Sequence, residues 1–479
     1  MQMKRHRSGF LLVDILLGVA VFAIIIGALT SGLAFSHREV LGSGDRVRAA
    51  YVAEQSLEAV RSIRDQDFAA LTEGTHGLTI QDGLWTLSGT GSVTEAGYNT
   101  AVSLANATDD RIAVTVNVSW NFGANRSGNL ELHGEVGNWR QTVTPGDWST
   151  VSEDGSYIDD DTPLFNRAVA AGGYLYVTSE TSDGGDGLYV FDITDTSNPT
   201  RVASSYALSS PAYDIAVSDG YLFVVVGNSS TEIVIYDLST PETLSASDIV
   251  ATINVAGSAK ARSIAIDGTT LYVGSVSGGS AVSFASYDIS DINSIAALDT
   301  YDESENYNSI AVTDGYAYIA SGKDTAELRI VDVQSPSNLT IPTASGAYNL
   351  TDTANALSIQ ALNGYALLGR ASVSVSEEIL LFDISPHVLS SSGPWNLEAG
   401  ANVNGIAMDP AATYGFIASE NDSKEFSVVN IATFAAGGAP EIATFDTDTG
   451  VGRGVYYSWD LDRSILLTNS AIIILQPGS

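Results

Sequence analysis

Hydrophobic residues in the first third of the chain follow a helical pattern. An apolar run covers Phe10–Phe35 and contains one charged residue, Asp14. Beyond it, an apolar stripe recurs at spacings of 3, 4, 3 and 3 residues, formed by Ala50, Ala53, Leu57, Val60 and Ile63. A run of this length can cross a membrane as a helix, and the stripe is typical of an amphipathic continuation. The pattern predicts one long helix over residues 10–73, transmembrane in its first half, and a stop at Gly74.

The next segment changes to a period of two. Apolar side chains alternate with polar ones at Ile112, Val114, Val116, Val118 and Trp120. Asp82–Gly83 separates two short apolar stretches, which is typical of a hairpin turn. Residues 74–148 are therefore predicted to form a small antiparallel sheet.

Residues 149–479 are periodic on a larger scale. Segments such as YDIAVSDGYLFVVVG (from Tyr213) and NSIAVTDGYAYIASG (from Asn308) recur. Successive equivalent positions lie 47, 49, 46, 49, 47 and 49 residues apart, at Ala168, Ile215, Ile264, Ile310, Ile359, Ile406 and Val455. Each unit contains two strands joined by an Asp-Gly-type turn, a variable loop and two further strands. Seven such units predict a seven-bladed β-propeller.

The third strand of most units ends in a similar motif, such as FDIT, YDLS, YDIS, VDVQ or FDIS. This motif resembles the LVIVD-type repeat of propellers. Its recurring aspartates are Asp192, Asp237, Asp288, Asp332 and Asp383. An aspartate at a strand end, followed by Ser or Thr, accepts backbone N–H groups and sets a turn. We interpret these residues as structural, not catalytic.

The last unit is too short for four strands, because only AIIILQPGS follows its second strand. An open blade would leave an exposed strand edge. The offset of outer strands in earlier units points to Thr150–Asp159 as the missing strand. We therefore predict that this segment pairs with Ala471–Leu475 and closes the ring.

The junction before the apolar run has a distinctive order. Three basic residues precede Gly9, and Phe10 opens a run, FLLV, that ends at Asp14. This order resembles the leader of type IV prepilins and pseudopilins, although that family usually has Glu where this chain has Asp14. The resemblance implies cleavage by prepilin peptidase between Gly9 and Phe10, methylation of Phe10, and pairing of Asp14 with the N-terminal amine of a neighbouring subunit. The apolar run is too long for an ordinary secretory signal peptide. Composition alone also permits a simple signal anchor.

Charge and composition exclude several functions. The chain has 21 Lys and Arg residues against 56 Asp and Glu, a formal charge of −35, so nucleic acid is not an expected partner. It contains no cysteine, and its five histidines lack metal-ligand spacing. No nucleophile elbow or phosphate-binding loop occurs. The chain is therefore predicted to have no enzymatic activity and no cofactor, with weak calcium candidates at Asp446, Asp448, Asp183 and Asp186.

These observations predict an α+β pilin-like module followed by an all-β seven-bladed propeller. The expected domains are a leader (1–9), a long helix (10–73), a sheet (74–148) and a propeller (149–479). The expected function is that of a minor, tip or decorating subunit of a type IV pilus or pseudopilus. Its head would bind a surface, glycan or protein ligand. The alternatives are a major pilin with a decorated shaft, and a membrane-tethered propeller enzyme or binding protein outside any filament. Expected partners are other pilin subunits, prepilin peptidase and the inner membrane before assembly, and the mature protein is expected to be extracellular.

Overall fold

The structure is a computed structural model, and it describes most of the chain beyond residue 43. The described residues are Ile26 and 44–64, 68–81, 84–93, 97–108, 111–121, 127–137, 144–180, 187–202, 208, 211–228, 230–256, 260–276, 282–342, 346–350, 352–373, 377–385, 394–447 and 450–478. The chain divides into two compact units, Met1–Gln141 and Thr142–Ser479.

The N-terminal unit is built on an antiparallel sheet with the strand order β2-β1-β4-β5-β6, and β3 pairs with β4. Its strands are β1 (Gly74–Gln81), β2 (Leu84–Ser88), β3 (Ser92–Val93), β4 (Asn99–Thr108), β5 (Arg111–Asn121) and β6 (Ser127–Gly137). A helix, α1, covers residues 44–64, and a short 3-10 helix follows at Phe68–Ala70. The alternating apolar residues of β5 are buried, and they share one core with Ala49, Ala53, Val60 and Ile63 of α1. The alternation of apolar and polar residues in β5 therefore corresponds to one face of the strand that packs against the core.

The predicted fold class is wrong. The described residues are nearly all β, with many four-stranded sheets, and they do not form an α+β pilin module with a long transmembrane helix. No helix in the described part of the chain is long and apolar enough to cross a membrane. The physical reason is visible in α1, which is apolar on one face only and carries charged residues such as Asp45, Arg48 and Glu54. The apolar run Phe10–Phe35 lies outside the described residues, apart from Ile26.

The C-terminal unit contains seven four-stranded antiparallel sheets among its described residues. Blade 1 contains β8 (Phe165–Ala171), β9 (Tyr174–Ser179), β10 (Leu188–Asp192) and β11 (Thr200–Arg201). Blade 2 contains β12 (Ala212–Ser218), β13 (Tyr221–Val226), β14 (Ile233–Asp237) and β15 (Ile249–Ile253). Blade 3 contains β16 (Lys260–Asp267), β17 (Thr270–Val276), β18 (Phe284–Asp288) and β19 (Ala296–Tyr301). Blade 4 contains β20 (Tyr307–Thr313), β21 (Tyr316–Ser321), β22 (Leu328–Asp332) and β23 (Ala347–Tyr348).

The remaining three sheets follow the same plan. Blade 5 contains β24 (Ala356–Leu362), β25 (Tyr365–Arg370), β26 (Ile379–Asp383) and β27 (Trp395–Leu397). Blade 6 contains β28 (Val403–Met408), β29 (Tyr414–Ser419), β30 (Phe426–Asn430) and β31 (Glu441–Phe445), with a short helix, α2 (Ile431–Ala435), before its last strand. Blade 7 contains β32 (Gly454–Ser458), β33 (Arg463–Leu467), β34 (Ala471–Pro477) and β7 (Val151–Ile158). Four 3-10 turns complete the described elements of the chain, one in the N-terminal unit and three here, at Pro241–Thr243, Ala246–Asp248 and Ile292–Ser294.

Sequence composition explains the hairpins inside each blade. The first two strands of blades 2 and 4 are joined at Asp219–Gly220 and Asp314–Gly315, where every residue has positive φ. Two consecutive positive-φ residues form the tight turn whose twist matches antiparallel strands, and glycine accepts that conformation without strain. The predicted turns at Asp219–Gly220 and Asp314–Gly315 are therefore confirmed.

The first strands of the seven blades form a closed cycle. Each contacts the first strand of the next blade, and β32 of blade 7 contacts β8 of blade 1. Blade 7 is completed from the other end of the unit, because β7 pairs with β34 from Ala471↔Ile158 to Pro477↔Val151. The predicted closure is confirmed. The two ends of the C-terminal unit share blade 7, where β7 covers the edge of β34.

Residues just before β7 belong to the same packed structure. Trp148 is completely buried, and its Nε1 donates to Asp462 Oδ1 at 3.1 Å. Asp462 also accepts the backbone N–H of Gly146 at 2.9 Å and the hydroxyl of Tyr457 at 2.7 Å. This contact fixes the chain entering β7 against the turn between β32 and β33.

Four blades contain a buried glutamate directly before the third strand. These residues are at most 2% exposed: Glu232, Glu327, Glu378 and Glu425. Each accepts the backbone N–H of the residue two positions after the fourth strand of its own blade, at 2.8 to 2.9 Å, from Val255, Leu350, Ala399 and Thr447 respectively. The glutamates therefore satisfy backbone donors where the chain leaves each blade.

We expect Glu232→Gln to stabilise the protein at neutral pH. Burial raises the pKa of Glu232 and of Glu327 above the usual value. A raised carboxyl pKa contributes stability below the unfolded pKa and loses it as pH rises through the folded pKa. The glutamine keeps an acceptor for Val255 and carries no charge. Thermal unfolding of the variant and the wild type from pH 4 to pH 8 should show an advantage for Gln that grows with pH. A constant or decreasing difference would contradict this explanation.

Candidate functional site

A β-bulge recurs at the same place in the first strand of six blades. In blade 1, Phe165 pairs with Ser179 and Arg167 with Thr178, so Asn166 has no partner of its own across the strand pair. Equivalent register shifts occur in blades 2 to 6 and leave out Tyr213, Arg262, Asn308, Leu357 and Asn404. A bulge re-aims the extra side chain. All six side chains consequently line one cavity at an end of the ring.

We call the six bulged residues and Arg453 of blade 7 the bulge ring. They line a cavity of about 190 Å³ together with Arg167, Glu180 and Glu420. Leu357 is the single aliphatic residue among the ten that line it. The cavity is therefore strongly polar, and each of the seven blades contributes to it.

Asparagines of the bulge ring connect neighbouring blades. The side-chain Nδ2 donates to a main-chain carbonyl of the next blade, from Asn166 to Ala212 at 3.1 Å and from Asn308 to Ala356 at 2.7 Å. Asn404 donates in the same way to Gly452 at 3.0 Å. The backbone also approaches closely at this end, because a Cβ on Gly454 would lie 2.1 Å from the Asn166 carbonyl oxygen. The ring is thus held rigidly around the cavity.

Two guanidinium groups converge on one carboxylate in the cavity. Arg453 Nη2 lies 2.6 Å from Glu180 Oε2, and Arg262 Nη2 lies 3.4 Å from Glu180 Oε1. The Arg262 guanidinium also stacks on the ring of Tyr213, 4.4 Å from its centroid. Arg453 Nε is buried and has no hydrogen-bond partner among the described residues. Around Glu180, two guanidinium groups therefore share a single carboxylate.

The other charged groups of the cavity are already engaged. Glu420 accepts the side-chain amides of Asn402 at 2.8 Å and Asn404 at 3.0 Å. Arg167 Nη1 donates to the carbonyl of Asn166 at 2.9 Å. Beside the cavity, Asp214 accepts the backbone N–H of Ile215 at 2.9 Å and of Ile264 at 2.8 Å. Desolvation inside the ring raises the pKa of Asp214, although the Arg167 guanidinium opposes that effect.

The recurring aspartates predicted from sequence lie at the ends of the third strands, and they are not part of the bulge-ring cavity. Each accepts the backbone N–H of the residue two positions later through Oδ1. These bonds join Asp192 to Thr194 (2.9 Å), Asp237 to Ser239 (2.7 Å), Asp288 to Ser290 (2.9 Å), Asp332 to Gln334 (3.0 Å) and Asp383 to Ser385 (3.0 Å). The bonds lower the pKa of Asp192 and Asp288. The geometry is that of a local turn.

Other predicted residues have no described surroundings. Gly9, Phe10 and Asp14 lie outside the described residues, as do the calcium candidates Asp183, Asp186 and Asp448. Asp446 is described, in the segment that follows β31. No group of three His, Asp or Glu side chains able to hold a metal ion occurs in the part of the chain that was placed.

Sequence reasoning missed the bulge ring and the buried glutamates. A bulge is defined by the register between two paired strands, and the hydrophobic pattern of one strand does not reveal that register. A signal was nevertheless present, because the residues two positions before the aligned apolar positions are polar or aromatic in six of seven units. The glutamates also recur at one position, directly before the third strand.

Comparison with known proteins identifies the repeat. Residues 167–206, 211–252 and 306–350 match the LVIVD repeat, so the chain contains LVIVD repeats in a propeller-like β fold. No curated protein sequence matches the chain.

Several solved structures are similar to the chain at low identity. The computationally designed Ika8 protein is 10% identical, with a TM-score of 0.45, over 85% of this chain and 98% of that chain. A "putative 6-phosphogluconolactonase" from Bacteroides fragilis is 13% identical, with a TM-score of 0.48, over 61% of this chain and 86% of that chain. A protein of the same description from Bacteroides uniformis is 12% identical, also with a TM-score of 0.48, over 61% of this chain and 88% of that chain. Similarity at this level supports no functional assignment.

Proposed function

We propose that the protein is a non-enzymatic binding protein whose C-terminal unit holds its ligand in the bulge-ring cavity. The observation that carries this proposal is the convergence of side chains from all seven blades on one polar cavity. The lining residues include no Ser, Thr, Cys, Lys or His. The two carboxylates of the lining are already engaged, Glu180 by Arg262 and Arg453, and Glu420 by Asn402 and Asn404. Rigid amide and guanidinium donors suit recognition better than bond cleavage.

We further propose that this binding unit is displayed by a type IV pilus or pseudopilus. The support is the sequence junction KRHRSGFLLVD, with Gly9, Phe10 and Asp14 in the order found in prepilins. In this proposal prepilin peptidase and other pilin subunits are partners, and the mature protein is a minor or tip subunit outside the cell. A head of more than 300 residues would crowd every position of a tightly packed shaft, which favours the minor role.

We expect the mature protein to begin with N-methylated Phe10, because cleavage after Gly9 creates the amine that Asp14 of a neighbour would pair with. Mass spectrometry of the N-terminal peptide from the cell surface measures this directly. Asp14→Ala should remove most of the protein from purified filaments, while Glu54→Ala, an exposed acid of α1, should leave incorporation unchanged. An intact leader, a cut beyond Phe35, or normal incorporation of Asp14→Ala would contradict the pilus proposal.

A further inference from the structure

We propose that the bulge-ring cavity binds an acidic monosaccharide unit, with the sugar carboxylate held by Arg262 and Arg453. This inference rests on the proposed binding function and specifies the chemistry of its ligand. It is carried by the arrangement of Glu180 between two guanidinium groups.

This part of the cavity already accommodates a carboxylate. Glu180 lies within 2.6 Å of Arg453 and 3.4 Å of Arg262, and it also accepts Asn166 Nδ2 at 3.3 Å. Arginine forks match carboxylates geometrically, and two of them surround a single acceptor group here. Glu180 therefore occupies the position that a ligand carboxylate would take, and it competes with such a ligand.

Cations of the C-terminal unit are concentrated at this cavity. Thr142–Ser479 contains only ten lysines and arginines, and three of them, Arg167, Arg262 and Arg453, line this one cavity. The rest of that unit is strongly acidic, so an anion is repelled from most of its surface. The three cations outnumber the two carboxylates of the lining, Glu180 and Glu420, so this position favours an anionic group more than the acidic remainder of the unit does.

The remaining lining supplies acceptors for hydroxyl groups. Nδ2 of Asn308 and of Asn404 is used by neighbouring blades, while their Oδ1 atoms accept no hydrogen bond from the described residues. Amide oxygens and the Glu420 carboxylate are acceptors for hydroxyl groups. A cavity of about 150 Å³ holds one six-membered ring, and this cavity measures about 190 Å³. A single sugar ring with a carboxylate fits this size and polarity, whereas an apolar ligand does not.

The test uses isothermal titration calorimetry of the full-length protein with D-glucuronate, D-glucose and acetate. These probes separate the carboxylate, the hydroxylated ring and their combination. We expect glucuronate to bind about tenfold or more tightly than glucose, because a charge-assisted pair adds at least that much. Acetate should also bind more weakly than glucuronate. Equal binding of glucose, equal binding of acetate, or no binding of any probe would overturn the inference.

Variants distinguish recognition from folding. Arg453→Met should weaken glucuronate binding about tenfold or more. Arg201→Met is the matched control, because Arg201 stacks on Tyr189 at 4.3 Å just as Arg262 stacks on Tyr213, but lies outside the cavity. Glu180→Gln should strengthen glucuronate binding, since it removes the competing carboxylate. A weaker affinity in Glu180→Gln, in a protein that melts like the wild type, would overturn the inference.

The two proposals fail in different experiments. Loss of Phe10 processing or filament incorporation would contradict display and leave the sugar result standing. An unmoved glucuronate affinity in Arg453→Met, which the melting temperature shows to be folded, would contradict acidic-sugar recognition. That result would leave both the display proposal and a different ligand for the cavity intact.

Discussion

Deletion of Ser149–Asp161 is expected to destabilise the whole C-terminal unit. The deletion removes β7, which pairs with β34 along seven residues, and it exposes the backbone of a strand whose residues Ile472–Leu475 are at most 6% exposed. It also leaves β34 with an open edge beside blade 1, although β32 still contacts β8. We expect a loss of more than about 4 kcal/mol in the free energy of unfolding. The corresponding fall in melting temperature is about 10 °C.

A point variant tests the same closure without shortening the chain. A Cβ on Gly155 of β7 would lie 2.4 Å from the Thr196 carbonyl oxygen and 2.6 Å from the Ser197 carbonyl carbon, both in blade 1. Gly155→Ala should therefore force β7 away from blade 1. Gly322→Ala is the control, because its nearest atoms lie 3.5 Å or more away. Calorimetry of full-length proteins should show a lower melting temperature for the deletion and for Gly155→Ala. An unchanged C-terminal transition in the deletion would refute the closure role.

Sequence patterns predicted the repeated architecture well, for a physical reason. Each blade buries its strands between neighbours, so strands such as YLFVVV and IVIYD are apolar and β-branched, and the turn at Asp219–Gly220 has its own signature. The closing strand followed from one constraint, that blade 7 lacked a fourth strand. Local composition also encodes the turn bonds of residues such as Asp237.

The same approach failed where burial or long-range register decides the structure. A glutamate is expected at the surface, yet Glu232 is completely buried because the Val255 N–H needs an acceptor there. Trp148 falls at the end of the segment predicted as a sheet (74–148), but its packing depends on Asp462, more than 300 residues away. The bulge ring depends on pairing between strands. The fold class was wrong because it was inferred from the apolar run Phe10–Phe35, and the described residues contain no such helix.

Glu303→Ala is expected to cost about 3–5 kcal/mol in the free energy of unfolding, the usual effect of removing one partner of a buried ion pair. Glu303 bonds Arg329, and it accepts the hydroxyls of Tyr301 at 2.9 Å and Tyr307 at 3.0 Å. Tyr301 belongs to blade 3, and Tyr307 and Arg329 belong to blade 4, so the group joins two blades. The side chains of Arg329 and Glu303 are only 10% and 14% exposed, and Arg329 would remain as an unpaired cation.

The contribution of Glu303 to stability should rise with pH, whereas the contribution of Glu232 should fall. Burial opposes ionisation of Glu303, but the Arg329 charge and the hydrogen bonds outweigh it and hold the pKa below its usual value. Burial raises the pKa of Tyr301 to about 12, together with the hydrogen bond to Glu303 and the charge of Glu303. A depressed carboxyl pKa contributes stability above the unfolded pKa and loses it as pH falls through the folded pKa. The difference between wild type and Glu303→Ala should therefore be full at pH 7 and shrink below about pH 4.

A double variant separates the ion pair from packing. Replacing both partners, in Glu303→Met with Arg329→Met, removes the unpaired charge and keeps side-chain volume, so it should recover much of the stability lost in Glu303→Ala. Chemical denaturation of the wild type, Glu303→Ala, Glu303→Met, Arg329→Met and the double variant at pH 7 and pH 3.5 completes the comparison. If the double variant is as unstable as Glu303→Ala at pH 7, the cost lies in the lost hydrogen bonds to Tyr301 and Tyr307, not in the isolated Arg329 cation.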